Sequence, residues 1–329
     1  MSLEQAVARR SALFAARQRG HTTAFRLINA DGDGMPGLAV DVYDRWLVAH
    51  LYDLTPAAVD ATLQALRRPD FAGMYVKLHP VQSHEPGPQP SHAEPAGQLY
   101  WGEPAPEELV IHEGGLPFLV RLSDGLRTGI FLDMRSARAR VRELSQGRRV
   151  LNLFAYCCAF SSAALAGGAL DCLSVEVSKL ALERGVRGVA LLGPSPGHRI
   201  WQADVHALLA RLRRRGDRFD LIVVDPPSYA TTHSGRFRVL KDYPALLEAI
   251  VALSAPAAWV VACGNHRRLS HTALLGWLQG AANAHGRLVM GAERVQQDLD
   301  FPVRSPEQPQ SVSICARLQA ASCSSTNNV

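Results

Sequence analysis

From residue 149 to about residue 320 the sequence alternates short apolar runs with helical stretches, and this alternation limits the folds available more than anything else in the chain. VLNLFAY reads as a buried strand, FSSAALAGG as a helix, DCLSVEV as a strand and SKLALERGVRGVALL as a helix. HRIWQA and DVHALLARLRRRG repeat the unit, followed by FDLIVVD, a helix near PALLEAIVAL, and AAWVVAC. Parallel neighbours need a crossover connection and helices supply it, so the pattern implies a mainly parallel sheet covered on both faces. The helix HTALLGWLQGAANAHG and strands near RLVMGAERV and SVSICARL complete it. The expected fold class is α/β: a doubly wound, Rossmann-like sheet with a closing antiparallel hairpin, preceded by a small α+β domain.

The front of the chain has a different texture. Leu3, Val7, Leu13 and Phe14 lie among arginines, which predicts a basic amphipathic helix over residues 1–20. AFRLI, GLAVDVY and WLVAHLY, separated by the turn ADGDGMPG and by Asp44-Arg45, predict an α+β domain over 21–106 that ends in a Pro/Gly/His-rich linker. The α/β domain then occupies 107–320, and 321–329 reads as a disordered tail. No run of about 18 apolar residues exists and the N-terminus is charged where a signal peptide is apolar, so no membrane and a cytoplasmic location are expected. Cys157, Cys158, Cys172, Cys263, Cys315 and Cys323 show no zinc spacing, so no metal and no disulfide framework are expected. The net charge of +5, carried almost entirely by arginine, suits a polyanionic partner, though a GC-rich genome gives the same bias.

In an open α/β sheet, ligands bind beyond the carboxyl ends of the strands. Those ends are Phe154-Ala155-Tyr156, Glu176, the residues before Asp204, and Asp225-Pro226-Pro227, so three of the four carry acids. Glu176 follows the Tyr156-Cys157 turn by about 20 residues, the spacing at which an acid accepts the ribose hydroxyls of an adenosine ligand. A plain surface acid is the alternative. Asp204 either accepts from an adenine amino group or caps the helix DVHALLARL. In DLIVVDPPSY an apolar strand delivers Asp225 to its tip, while Pro226 and Pro227 stiffen a turn that exposes carbonyls and the aromatic Tyr229. Amino-group methyltransferases use such a turn to hold a flat base.

GLRTGIFLDMRSAR, VLNLFAYCCAFSSAALAGGA, SVEVS, ADVHALL and FDLIVVDPPSYA, with RLINADGDGMPGLAVDVYDRWLV upstream, resemble the bacterial large-subunit ribosomal RNA cytosine-C5 methyltransferase family over residues 25–318. The resemblance implies S-adenosylmethionine as cofactor. It implies that Thr128, Gly129, Phe131, Asp133 and Arg135 pack over that cofactor, with Phe154, Tyr156, Glu176, Ser178, Asp204 and Asp225 around it. Pro226, Pro227, Tyr229 and Lys241, the last paired with Asp242, would shape the substrate side. Cys263 stands where the family's nucleophile stands. Two features depart from the family: Cys157-Cys158-Ala159 replaces Thr-Gly-Gly, at a cost of about 1 kcal/mol if a glycine position needs φ > 0, and Gly188 stands near the place of a usual Asn. The family's RNA-binding PUA module is expected to be missing, and RNA contacts are then expected from the N-terminal domain with its basic first helix.

The resulting expectation is methyl transfer to cytosine C5 of ribosomal RNA, with Cys263 and Asp225 catalytic. Three alternatives stay open. A base-nitrogen target such as guanine N7 fits Asn265 and Arg267 in CGNHRR, a small-molecule substrate fits the altered turn and the missing module, and a catalytically silent binding protein is the third. A homodimer is compatible with all of them.

Overall fold

Apolar alternation and tight turns build the first part of the chain. The computed structural model describes residues 3–79, 97–232, 235–303 and 311–320; most of the expected linker (80–96), Cys323 and the expected tail lie outside the described residues, as do the side chains of 230–236. Two units are present, one of Met1–Arg135 with Gln297–Pro306, the other of Ser136–Gln296 with Glu307–Val329. The expected boundary at 106 falls inside the first.

The first unit opens with α1 (Leu3–Arg9) and α2 (Ser11–Gln18) where one helix was expected. They break at Arg10, whose side chain turns inward instead of adding to a basic outer face. Its guanidinium donates to both oxygens of Asp33 (2.9 and 2.6 Å) and to the carbonyls of Arg26 (3.1 Å) and Asp300 (2.9 Å). A buried arginine needs this complete a partner set to offset its lost hydration. A sheet follows in the order β1 (Ala24–Asn29), β2 (Leu38–Tyr43), β3 (Trp46–Tyr52), β4 (Gly73–His79), β5 (Gln98–Gly102). β3 and β4 are parallel, joined by α3 (Pro56–Ala65), which starts with Thr55 accepting from the Ala58 amide and Pro56 in the first turn. β6 (Leu109–Glu113) and β7 (Leu116–Val120) form a separate hairpin.

The two faces of this five-stranded sheet differ sharply. Phe25, Leu27, Val40, Val42, Leu47, Ala49, Leu51, Met74 and Val76 form an apolar core with Ala6, Leu63 and Leu66 from the helices. The register places Arg26 beside Asp41, His50 beside Lys77 and Tyr52 beside His79 on the opposite face. Arg26, Asp41, His50 and Lys77 are all buried there. Arg26 grips Asp41 through two nitrogens (2.5 and 3.2 Å), and His50 Nε2 lies 3.3 Å from Asp41 Oδ2. The segment from Asp124 to Arg135 is tied to the same face: Lys77 Nζ donates to the Asp124 carbonyl (2.8 Å), and the Tyr43 and Thr128 hydroxyls are 2.9 Å apart.

The second unit is the expected doubly wound sheet, in the order β10 (His198–Gln202), β9 (Asp171–Glu176), β8 (Arg149–Leu153), β11 (Phe219–Val224), β14 (Ser254–Gly264), β16 (Val312–Ala320), β15 (Arg287–Arg294). The first five strands are parallel, and β16 and β15 close the sheet antiparallel. α4 (Arg135–Leu144) leads into β8, and α5 (Ala159–Ala166), α6 (Lys179–Ala190), α7 (Val205–Arg215), α8 (Val239–Leu253) and α9 (His271–Ala284) connect the strands. α7, α8 and α9 pack on one face through Leu208, Leu212, Leu246, Ile250, Leu274 and Leu278. A short hairpin of β12 (Tyr229–Thr232) and β13 (Gly235–Arg238) precedes α8. Among the described residues no helix is long and apolar enough to cross a membrane.

The polar face predicts an acid-sensitive first unit. Although burial opposes ionisation of Asp41, Arg26 and His50 hold its carboxyl down at about 2, against an ordinary value of 3.8. As the pH falls the unfolded chain takes this proton first, so a stabilisation complete above about pH 4 drains away towards pH 2. Burial likewise lowers His50 and His79 below 6.5, so their contribution is lost as the pH drops beneath that value. Denaturation midpoints should therefore decline from pH 7 to pH 3, and Asp41→Asn, which leaves Arg26 buried without its partner, should cost about 3–5 kcal/mol at neutral pH. A midpoint independent of pH over that range would contradict this.

Candidate active site

Parallel pairing sets the strand tips level. Gln202 faces Glu176, Val175 faces Leu153, Leu153 faces Val224, and Val224 faces Ala262. One position further along, Phe154, Asp225 and Cys263 fall into a row with Glu176 across the carboxyl end of the sheet, where open α/β folds bind ligands. Glu176 is half-buried, and its carboxylate accepts from the backbone N–H groups of Tyr156 (3.0 Å), Val177 (2.9 Å) and Ser178 (2.9 Å). A carboxylate has about four acceptor positions, so one remains for a ligand hydroxyl. Ser178 caps α6 by accepting from the Ala181 amide, and Asp204 caps α7 by accepting from the Ala207 amide. For Asp204 the structure shows the capping role. Val177, 52% exposed beside Glu176, offers an apolar surface that the sequence reading passed over.

Between β8 and α5 the backbone is strained. Phe154, Tyr156 and Cys158 have φ of +57°, +48° and +58°, a region side chains enter only under constraint. Cys158 is thus one of the altered glycine positions that does need a left-handed backbone, whereas Ala159 is ordinary helix. Gly185 of α6 compensates, since a Cβ there would stand 2.5 Å from Cys158 Sγ and 3.0 Å from the Cys157 carbonyl carbon. The missing side chain on α6 is the space the Cys158 thiol occupies. Burial pushes this thiol up to about 12, so it stays protonated.

On the other side of the row, Pro226 is buried and Pro227 half-buried. Ser228 donates to Asn265 Oδ1 (2.9 Å) and its carbonyl accepts from the Val239 amide (3.1 Å), which joins the Pro-Pro turn to the loop after β14 and to α8. Tyr229 is 60% exposed, with its ring edge-on to His266 at 6.1 Å. Lys241 is exposed in the first turn of α8, while Asp242 accepts from the Arg238 amide (2.7 Å). Cys263 is fully buried. Sequence reasoning missed Tyr243, buried on α8, whose hydroxyl lies 2.6 Å from the Cys263 carbonyl and 3.2 Å from that of Val224. It ties together the tips that carry Asp225 and Cys263. The available signal was a tyrosine among Val239, Leu246 and Leu247, since a buried hydroxyl needs a partner.

Thr128, Gly129, Phe131, Asp133 and Arg135 belong to the first unit. Thr128 is held by Tyr43, Gly129 has a φ of +114°, and Phe131 is 37% exposed with Arg127 6.0 Å over its ring. Arg135 pairs with Asp298 (3.3 Å) and with Asp300. Among the described residues no His, Cys, Asp or Glu group is arranged to hold a metal ion.

A family model for S-adenosylmethionine-dependent methyltransferases matches residues 54–310. The chain belongs to that family. A Deinococcus radiodurans protein named ribosomal RNA large subunit methyltransferase is 37% identical over 273 residues, covering 80% of this chain. The chain spans 65% of that relative's length. Ribosomal RNA large subunit methyltransferase I of Erwinia tasmaniensis is 30% identical over 291 residues, with 87% and 72% of the two chains covered. Among solved structures, SMU.776, a candidate methyltransferase crystallised with SAH, aligns with a TM-score of 0.81 at 25% identity, covering 96% of this chain and 82% of that one.

The donor set of the second unit fits the family's cofactor, which presents hydroxyls, an amine, a carboxylate and a cation. Glu176 retains an acceptor position, Val177 is apolar and exposed, and Asp225 puts a negative charge at the tip of β11, on the far side of β8 from Glu176. Calorimetry on Glu176→Ala should show affinity for S-adenosylhomocysteine falling at least about tenfold, since hydrogen bonds to a charged group are worth about 1.5–3 kcal/mol; unchanged affinity removes Glu176 from the site. For this methyltransferase Gly185→Ala should cost at least about 1–3 kcal/mol by overpacking. Adding Cys158→Gly should recover most of that loss, and strict additivity of the two changes in a double-mutant cycle would show that the thiol does not fill the space.

Proposed function

We propose that this methyltransferase acts on ribosomal RNA and methylates C5 of a cytosine, with Cys263 as nucleophile. The observation that carries the reading is the register that puts Cys263 next to Asp225 on adjacent strand tips, below the Pro-Pro turn. The names of the Deinococcus and Erwinia relatives support RNA as substrate. Bound S-adenosylmethionine would supply an electrophilic methyl group, held by Glu176, Asp225 and the Phe154–Cys158 loop. C5 of cytosine is a weak nucleophile. In this reading Cys263 adds as thiolate to C6, which raises electron density at C5. C5 then takes the methyl group, its proton passes to water, and the electron pair of the C5–H bond restores the C5–C6 double bond as the thiolate leaves. Asp225 accepts from the exocyclic amino group of the base, and Tyr229 covers one face of the ring. Tyr243 fixes the separation of the two strand tips, which is the alignment such a reaction depends on.

A second reading, methylation of a base nitrogen without a covalent step, is favoured by the complete burial of Cys263 and by Asn265, which meets the Pro-Pro turn through Ser228. RNA containing 5-fluorocytosine separates the two. Fluorine cannot be removed as a cation from C5, so the first reading predicts a covalent protein–RNA complex that Cys263→Ala abolishes, together with loss of turnover in Asp225→Ala. Full methylation by Cys263→Ala would transfer the function to the second reading.

A further inference from the structure

The polar face of the five-stranded sheet contains a bonded chain that the methyl-transfer chemistry does not use. Arg26 holds Asp41, Asp41 lies 3.3 Å from His50 Nε2, and His50 Nδ1 lies 2.9 Å from His79 Nε2. Beyond it, the His79 ring stacks on Tyr52 with centroids 4.2 Å apart and planes 24° from parallel. The chain starts buried and ends at the surface, where Tyr52 is 39% exposed.

The protons in this chain follow from its chemistry. Asp41 is an ionised acceptor, so His50 donates to it through Nε2–H. A neutral His50 then has a bare Nδ1, which accepts from His79 Nε2–H, and the remaining nitrogen of His79 is an acceptor. The imidazole of His79 is thereby fixed in both orientation and tautomer. Burial, with His50, Lys77 and Arg26 nearby, lowers its pKa from 6.5 to about 4, so at neutral pH it brings no charge to a phosphate. What it presents with Tyr52 is a rigid, uncharged aromatic stack. Phe131 of the same unit is likewise exposed, with the guanidinium of Arg127 6.0 Å over its ring. Exposed rings interleaved with a cation are the surface that holds unpaired bases of single-stranded nucleic acid.

We propose that the stacked Tyr52–His79 pair of the first unit, anchored by Asp41 and His50, is a platform for an unpaired nucleobase of the RNA substrate. This rests on the RNA reading above. Two aromatic rings already in contact lose little entropy when a third is added, and stacking a base is worth about 1–3 kcal/mol.

The test is fluorescence anisotropy with a labelled single-stranded RNA of about twelve nucleotides, on the full chain, with heparin as a polyanion that has no bases. Tyr52→Ala should weaken RNA binding about fivefold or more, Tyr52→Phe should bind like the wild type, and His79→Ala should weaken binding as Tyr52→Ala does. Heparin affinity, S-adenosylhomocysteine affinity and the melting temperature should stay within error for the Tyr52 variants. RNA affinity of Tyr52→Ala and His79→Ala within twofold of the wild type, in a protein that does bind RNA, overturns the platform alone. Equal losses for RNA and heparin overturn it too, because the effect would then be one of charge or folding. A wild-type chain that binds no RNA overturns the RNA reading and the platform with it.

Discussion

Level strand tips are the constraint on which the rest of the second unit depends. The parallel strands β9, β8, β11 and β14 are largely buried. A slip of one residue would move each of their side chains to the opposite face, against packing it does not match, so the core itself sets where each of these strands ends. Glu176, Phe154, Asp225 and Cys263 inherit their alignment from Val175, Leu153, Val224 and Ala262, one residue before them. Tyr243 adds a local lock. Its hydroxyl meets the carbonyls at the ends of β11 and β14, where the ladder runs out and backbone acceptors would otherwise need water.

The same logic shows which parts of the structure were legible in advance. The alternation of strands and helices, the closing hairpin and the tip positions of Glu176 and Asp225 all follow from local periodicity, and they stand as expected. What periodicity cannot carry is a contact made across a long stretch of sequence. Arg10 reads as one more arginine on a basic helix, because its partners Asp33 and Asp300 lie 23 and 290 residues away. Pro244 reads as the start of a helix, yet α8 begins five residues earlier at Val239, with the β12–β13 hairpin running into it. The return of residues 297–306 to the first unit leaves no mark in composition at all.

Altered glycines show how far a departure from a family pattern can be absorbed. Cys158 keeps a left-handed backbone that glycine would adopt without strain, which costs about 1 kcal/mol. It also needs room for a side chain where the pattern has none. The bare Cα of Gly185, 27 residues later, supplies that room, so the two positions make physical sense only as a pair. The strain falls at Phe154, Tyr156 and Cys158, in the loop whose Tyr156 amide donates to Glu176, and a loop so fixed presents its backbone groups already in place.

The blocks that tie this chain to one branch of its family, DGDGMPGL and TGIFLD, both lie in the first unit. Asp33 in the former holds Arg10 and the Asn29 amide, and Thr128 in the latter is held by Tyr43. Burying this many charges costs free energy that an apolar face of the same shape would not, so stability alone does not account for them. Directionality does. An apolar interface lets a covering segment slide and rotate, whereas directional bonds such as those from Lys77 to the Asp124 carbonyl and between Tyr43 and Thr128 favour one register of the Asp124–Arg135 segment. The polar text of the first unit therefore makes physical sense as that of a positional device.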